Sequence, residues 1–144
     1  MTEPSHFLLD ERLVSDCIFI KRIGRIQILL FNNSLLPWFI LVPETDVKEL
    51  YLLDAELRKN LLALQDDFSR FIMEKFTCDK LNIAAIGNIV SQMHIHIVGR
   101  YKDDYAWPGV VWGVSKSKPY EEKEVVNIKN DLFSYFELLS IKND

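Results

Sequence analysis

From Gln92 to Val98 polar and apolar residues alternate, with Gln92, His94 and His96 on one side and Met93, Ile95 and Ile97 on the other. That period of two predicts a half-buried β-strand whose apolar side enters a core. At about 3.3 Å per residue the two imidazoles lie about 7 Å apart on the opposite side. Ile26 to Phe31 is nearly all apolar and predicts a strand covered on both faces. Cys17–Ile20 and Trp38–Val42 predict two more, the second bounded by Pro37 and Pro43 as proline's missing N–H requires. Gly24 lies in the turn between the first two. Leu81 to Ile86 predicts a further strand, which passes through a Gly87-Asn88 turn into the alternating one. Between these runs the period changes. Leu57, Leu61, Leu64, Phe68, Phe71/Ile72 and Phe76 recur every three or four residues, predicting a long helix from an Asp54 N-cap to about Phe76. Val125, Ile128, Leu132, Phe136 and Leu139 predict a closing helix over about 119–139, with Glu121 and Glu122 suiting its N-terminus. Asp46 to Leu50 reads as a short turn. Residues 1–15 read as a lead-in anchored by Phe7, Leu8 and Leu9, with His6 at the surface. The sum is an α+β fold: a five-stranded antiparallel sheet with one long inserted helix and a C-terminal helix.

The chain has 144 residues and is 49% hydrophobic, which suits one domain over 1–144 with its core at about 15–113. A net charge of −4 leaves no Lys/Arg stripe to displace counterions, so nucleic acid is not an expected partner. Cys17 and Cys78 stand far apart in no metal-like spacing and read as reduced thiols. The first residues lack the basic and apolar regions of a signal peptide, and no apolar run reaches the roughly 18–20 residues of a membrane span. The expectation is a cytoplasmic protein with no membrane partner.

Only three histidines are present, and two share one strand face. A neutral His94 can attack an electrophile through one ring nitrogen if a fixed acceptor, such as a neighbouring backbone carbonyl, holds the proton on the other. His96 can donate to leaving or non-bridging oxygens. The Gln92 amide, Asn88 and Ser91 add neutral donors for developing negative charge, and Gly87 lets backbone approach a ligand. These parts suit acyl or phosphoryl chemistry on an anion. With neither a Walker-type glycine loop nor an Asp-rich magnesium cluster, no metal and no cofactor is expected. Two other readings share the same face: a His-x-His zinc site, which needs a third ligand such as His6 or a carboxylate, and a nucleotide-binding module with little turnover.

Gln92 to Val98 resembles the histidine triad (HIT) signature, His-φ-His-φ-His-φ-φ with φ apolar, with Gln in the first His position. Asn82, Gly87 and Val90 fall where that family has an Asn, a Gly and a Val, Asn82 being one residue closer to the strand. Asn32-Asn33 followed by Pro37 to Pro43 resembles its nucleoside-binding strand pair. Trp107-Pro108 through Val111-Trp112-Gly113 is similar to the tail of a short bacterial branch whose triad also begins with Gln. The resemblance spans about residues 15–113. It implies a nucleotide hydrolase or transferase acting on the α-phosphate of a dinucleoside polyphosphate or nucleoside phosphoramidate. His94 matches the nucleophile and His96 the phosphate contact. Asn82 and Asn88 match phosphate-approach donors, and Asn33 a ribose contact. It also implies an edge-to-edge homodimer.

Two departures stand out. Gln92 replaces an imidazole, which is harmless if only its backbone carbonyl holds the His94 proton. Trp38 stands where several members carry a further orienting His. Arg100 reads as a surface ion pair, Lys116-Ser117-Lys118 as a solvated turn, and the Trp107–Trp112 loop as a cover for its own sheet edge.

Overall fold

The computed structural model describes residues 6–143, so the first five residues of the expected lead-in lie outside the described residues. In chain order the elements are α1 (Glu11–Asp16), β1 (Cys17–Ile23), β2 (Ile26–Phe31), β3 (Trp38–Pro43), a 3₁₀ turn (Leu50–Leu52), α2 (Ala55–Phe76), β4 (Lys80–Ala84), β5 (Ile95–Arg100) and α3 (Glu122–Asn143). The strands form one antiparallel sheet in the order β1-β2-β3-β5-β4. This is the α+β architecture that the sequence patterning predicts.

Most bounds follow from local chemistry. β2 runs from Ile26 to Phe31 as expected, reached through a turn at Gly24 with φ +57°. α2 starts where Asp54 accepts from the Leu57 N–H at 2.9 Å, and it ends at Thr77 in the left-handed region. Its buried stripe is Leu57, Leu61, Leu64, Phe68, Phe71 and Ile72. α3 packs beside it through Ile128 and Leu132, with a Lys75–Asp131 ion pair at 2.8 Å between the helices.

Some bounds move: β1 runs on to Ile23, β4 covers Lys80–Ala84 rather than reaching Ile86, and α3 runs from Glu122 to Asn143. Two regions differ further. The alternating segment pairs only from Ile95, because β3 first meets it at Leu41 opposite Ile95 and β4 ends at Ala84 opposite His96. Gln92 to His94 thus lead into the strand without ladder partners. The lead-in contains the six-residue helix α1, capped by the Asp10 carboxylate on the Arg12 N–H at 2.8 Å. Phe7 and Leu9 pack as expected, whereas Leu8 is exposed.

The sheet separates two apolar clusters. On one face Ile28, Leu30, Phe39, Leu41, Met93, Ile95 and Ile97 meet α2 and α3. On the other, Leu29, Trp38, Ile40 and Val98 meet Leu13 of α1 and Val111 of the long loop after β5. The imidazoles stand on this second face.

Gly99 lies on β5 in close contact with Cys78, Pro37 and Ile72 of α2. A Cβ there would fall 2.4 Å from Cys78 Sγ, 2.7 Å from Pro37 Cγ and 2.8 Å from Ile72 Cγ2. Gly99→Ala is therefore expected to destabilise the fold by about 1–3 kcal/mol through overpacking. Denaturant unfolding checks this, and an unchanged midpoint would contradict it.

Candidate active site

His94 and His96 are buried, at 7% and 8% exposure, with ring centroids 4.8 Å apart. They line a cleft of about 530 Å³. The floor is the sheet, through Phe31, Trp38 and Ile40. One wall comes from α1 and the start of β1, through Arg12, Leu13, Asp16 and Cys17. Gly87, Asn88 and Val90 form a second side, and Val111 to Ser117 a third. Leu13, Phe31, Ile40 and Val111 make much of the interior apolar, while Arg12, Asp16 and Lys116 bring charge to the edge.

Each imidazole has one nitrogen committed, and in opposite senses. His94 Nδ1 lies 2.7 Å from the Gln92 backbone carbonyl. A carbonyl only accepts, so Nδ1 carries the proton and the neutral ring keeps its lone pair on Nε2. His96 Nδ1 lies 3.0 Å from Trp38 Nε1. An indole N–H only donates, so His96 Nδ1 accepts and the neutral ring carries its proton on Nε2. Burial, and then the neighbouring His94, lower the His96 pKa to about 3. His96 therefore stays a neutral donor. Trp38 performs the orienting task from a strand position directly opposite Val98.

The Gln92 side chain turns elsewhere. Its Oε1 accepts from the Asp10 N–H and its Nε2 donates to the Leu8 carbonyl, both at 2.8 Å. Gln92 thus meets His94 through backbone alone. Gly87, at φ +67°, and exposed Asn88 both line the cleft. Ser91 is exposed and borders a smaller cavity beside His94. Asn33 is buried in the cleft wall, where its Oδ1 accepts from the Leu35 and Lys118 N–H groups and its Nδ2 donates to Tyr105. Asn82 is not brought to the imidazoles. It lies opposite Val98, one pleat beyond His96, and its Oδ1 accepts from Arg100 Nη1 at 2.7 Å.

Arg100 is not at the surface but 1% exposed. Asp104, four residues on, grips it through Nε at 2.8 Å and Nη2 at 3.0 Å. Burial alone would raise the Asp104 carboxyl, but hydrogen bonds from Arg100 and from the Tyr101 and Ala106 N–H groups outweigh it, holding the pKa at about 2. The Trp107 ring sits 5.6 Å from the guanidinium. This knot fixes the loop on the second sheet face, so the loop covers more than an edge. It also brings Trp112 beside His96, at 5.6 Å between ring centroids.

The sequence reading did not assign the wall formed by α1, nor the place of Trp112 in the cleft. An Asp10-Glu11 N-cap signal was available for α1, but six residues carry too little periodicity to reveal a helix. Cys17 also lines the cleft; burial, and then Asp16, push its thiol up to about 12, so it remains protonated. Among the described residues no group of three or more His, Cys, Asp or Glu side chains could hold a metal ion, so no third ligand joins the imidazole pair. No described helix is long and apolar enough to cross a membrane.

An open antiparallel sheet with paired imidazoles at a cleft on one face defines a recognisable class. The chain belongs to the histidine triad family: the family model described as the HIT domain matches residues 12–103. It is similar to a histidine triad protein from Marinobacter aquaeolei VT8, at 40% identity and a TM-score of 0.86, over 92% of this chain and 98% of that one. A histidine triad protein from Sinorhizobium meliloti 1021 matches at 36% identity and a TM-score of 0.86, over 90% and 97%. Plasmodium falciparum diadenosine triphosphate hydrolase shares the fold at 19% identity and a TM-score of 0.59, over 94% and 87%. A comparison with curated proteins found no match.

The His96 environment carries a definite pH signature. A histidine pKa depressed on folding contributes stability that is complete above the unfolded value near 6.5 and declines as pH falls toward about 3. Nitrogen-detected NMR of the ring is expected to show one neutral tautomer, protonated at Nε2, from pH 8 to about 5. Trp38→Phe keeps an aromatic ring and removes the donor, and is expected to mix the tautomers. A wild-type midpoint near 6.5 would contradict the assignment.

Proposed function

We propose that this protein is a nucleotide hydrolase or nucleotidyl transferase that works through a nucleotidyl-His94 intermediate. The observation that carries the reading is the 2.7 Å contact between His94 Nδ1 and the Gln92 carbonyl, which leaves Nε2 as the nucleophilic nitrogen. The Nε2 lone pair attacks the α-phosphorus. The P–N bond forms as the bond to the leaving phosphate or amine breaks, and the leaving group departs with the electron pair, an amine taking up a proton from solvent as it leaves. Water then attacks the same phosphorus, releasing the nucleoside monophosphate and restoring Nε2, with its proton passing to solvent. His96 donates from Nε2 to a non-bridging oxygen throughout, and Asn88 with the Gly87 backbone faces the same phosphate.

The substrate class is a dinucleoside polyphosphate or a nucleoside phosphoramidate. The apolar cleft interior suits a base and ribose, with Asn33 near the sugar, while Arg12 and Lys116 suit an anionic leaving portion. The diadenosine triphosphate hydrolase that shares this fold agrees with such a class. Gln at the first triad position and the Trp107–Trp112 tail favour the short bacterial, diadenosine tetraphosphate hydrolase-like branch. Asn82 acts here as a support of Arg100 at the sheet margin rather than as a phosphate donor. The reading includes a homodimer, for which β4 is an edge strand with Ile83 at 42% exposure.

His94→Ala is expected to lower hydrolysis of diadenosine tetraphosphate or adenosine phosphoramidate by about 10⁴-fold or more, while AMP still binds in calorimetry. Turnover by this variant close to wild type would remove the mechanism.

A further inference from the structure

We infer that the Gln92 side chain is a positioning clamp, which holds α1 in place as a wall of the cleft and makes no contact with the reacting phosphate. Its amide reaches back more than eighty residues in sequence, accepting from the Asp10 N–H and donating to the Leu8 carbonyl. The carbonyl of one residue and the N–H two positions on are the groups a neighbouring parallel strand would engage, so the amide end imitates a strand peptide. An imidazole cannot do this, because its two nitrogens point in diverging directions.

Asp10 then transmits the restraint. Its N–H is fixed by Gln92, and its carboxylate caps α1 on the Arg12 N–H. The far end of α1 is tied by the Asn32 N–H on the Asp16 carbonyl at 3.0 Å. Between these ties Arg12, Leu13 and Asp16 face the cleft. Leu8 and Asp10 precede residue 12, where the family match begins, so the clamp joins a segment outside that match to the first triad position. Gln92 thereby gives wall and nucleophile a common reference: side chain to the wall, backbone carbonyl to His94. The inference rests on the functional reading only for what the wall receives.

A double-mutant cycle tests it in the full chain. Gln92→Met keeps length and removes both bonds. Asp10→Pro removes the N–H at a φ of −54° that proline accepts, and Asp10→Ala controls for the lost cap while keeping the N–H. Hydrogen exchange over residues 11–17 reads the clamp directly, and AMP calorimetry with steady-state kinetics reads its use. Gln92→Met is expected to speed that exchange and to weaken AMP binding about tenfold, the equivalent of about 1.4 kcal/mol, raising KM by more than it lowers kcat. Asp10→Pro should act likewise and beyond Asp10→Ala, and adding Gln92→Met should cost less in the Asp10→Pro background than in the Asp10→Ala background. Unchanged exchange, a fall confined to kcat, or an equal added cost of Gln92→Met in the Asp10→Pro and Asp10→Ala backgrounds would each overturn the clamp. A wild type that binds no AMP would instead overturn the functional reading, with the exchange measurement still deciding the clamp.

Discussion

The site depends on a single short hydrogen bond from His94 Nδ1 to the backbone carbonyl two residues before it. Because a carbonyl can only accept, this contact decides which nitrogen bears the proton and therefore which bears the lone pair. Trp38 imposes the reverse on His96, since an indole can only donate. Two chemically identical side chains one pleat apart are thus given opposite faces, one presenting a lone pair and one an N–H. No charged group is needed to tell them apart. Burial keeps His96 neutral, so its role as donor does not change across the ordinary pH range.

The fold supplies this arrangement by dividing its apolar residues between two sides of one sheet. The heavier side, with α2 and α3, anchors β5 through Ile95 and Ile97, which obliges His96 to face the other way. That other side is closed by the short helix α1 and by irregular chain, which must be pinned by specific contacts. Arg100 is the principal pin: breaking a buried pair such as Arg100–Asp104 typically costs about 3–5 kcal/mol. The same knot sets the loop that carries Trp112 to the cleft.

Features governed by neighbours in sequence were readable in advance. The Asp54 cap, the α2 stripe, the β2 bounds and the division of Met93, Ile95 and Ile97 from the imidazoles all follow from spacing alone. The fold class was readable for the same reason, and the family resemblance from the Gln92–Val98 motif and its flanking residues. Features set by distant partners were not. Nothing local shows that the Gln92 amide meets Leu8 and Asp10, that a loop buries Arg100, or that Asn82 registers against Val98 rather than His96. The early end of the ladder before Ile95 likewise depends on where β3 and β4 stop. A carbonyl holding His94 was expected on chemical grounds, whereas the way the Trp38 indole fixes His96 needed coordinates to see.

The most direct measurement is to quench a single turnover and locate the nucleotidyl group by phosphorus–nitrogen correlation NMR. The expected result is one phosphoramidate bond, at Nε2 of His94. Attachment at Nδ1, attachment to another residue, or hydrolysis with no covalent species at any quench time would contradict the account.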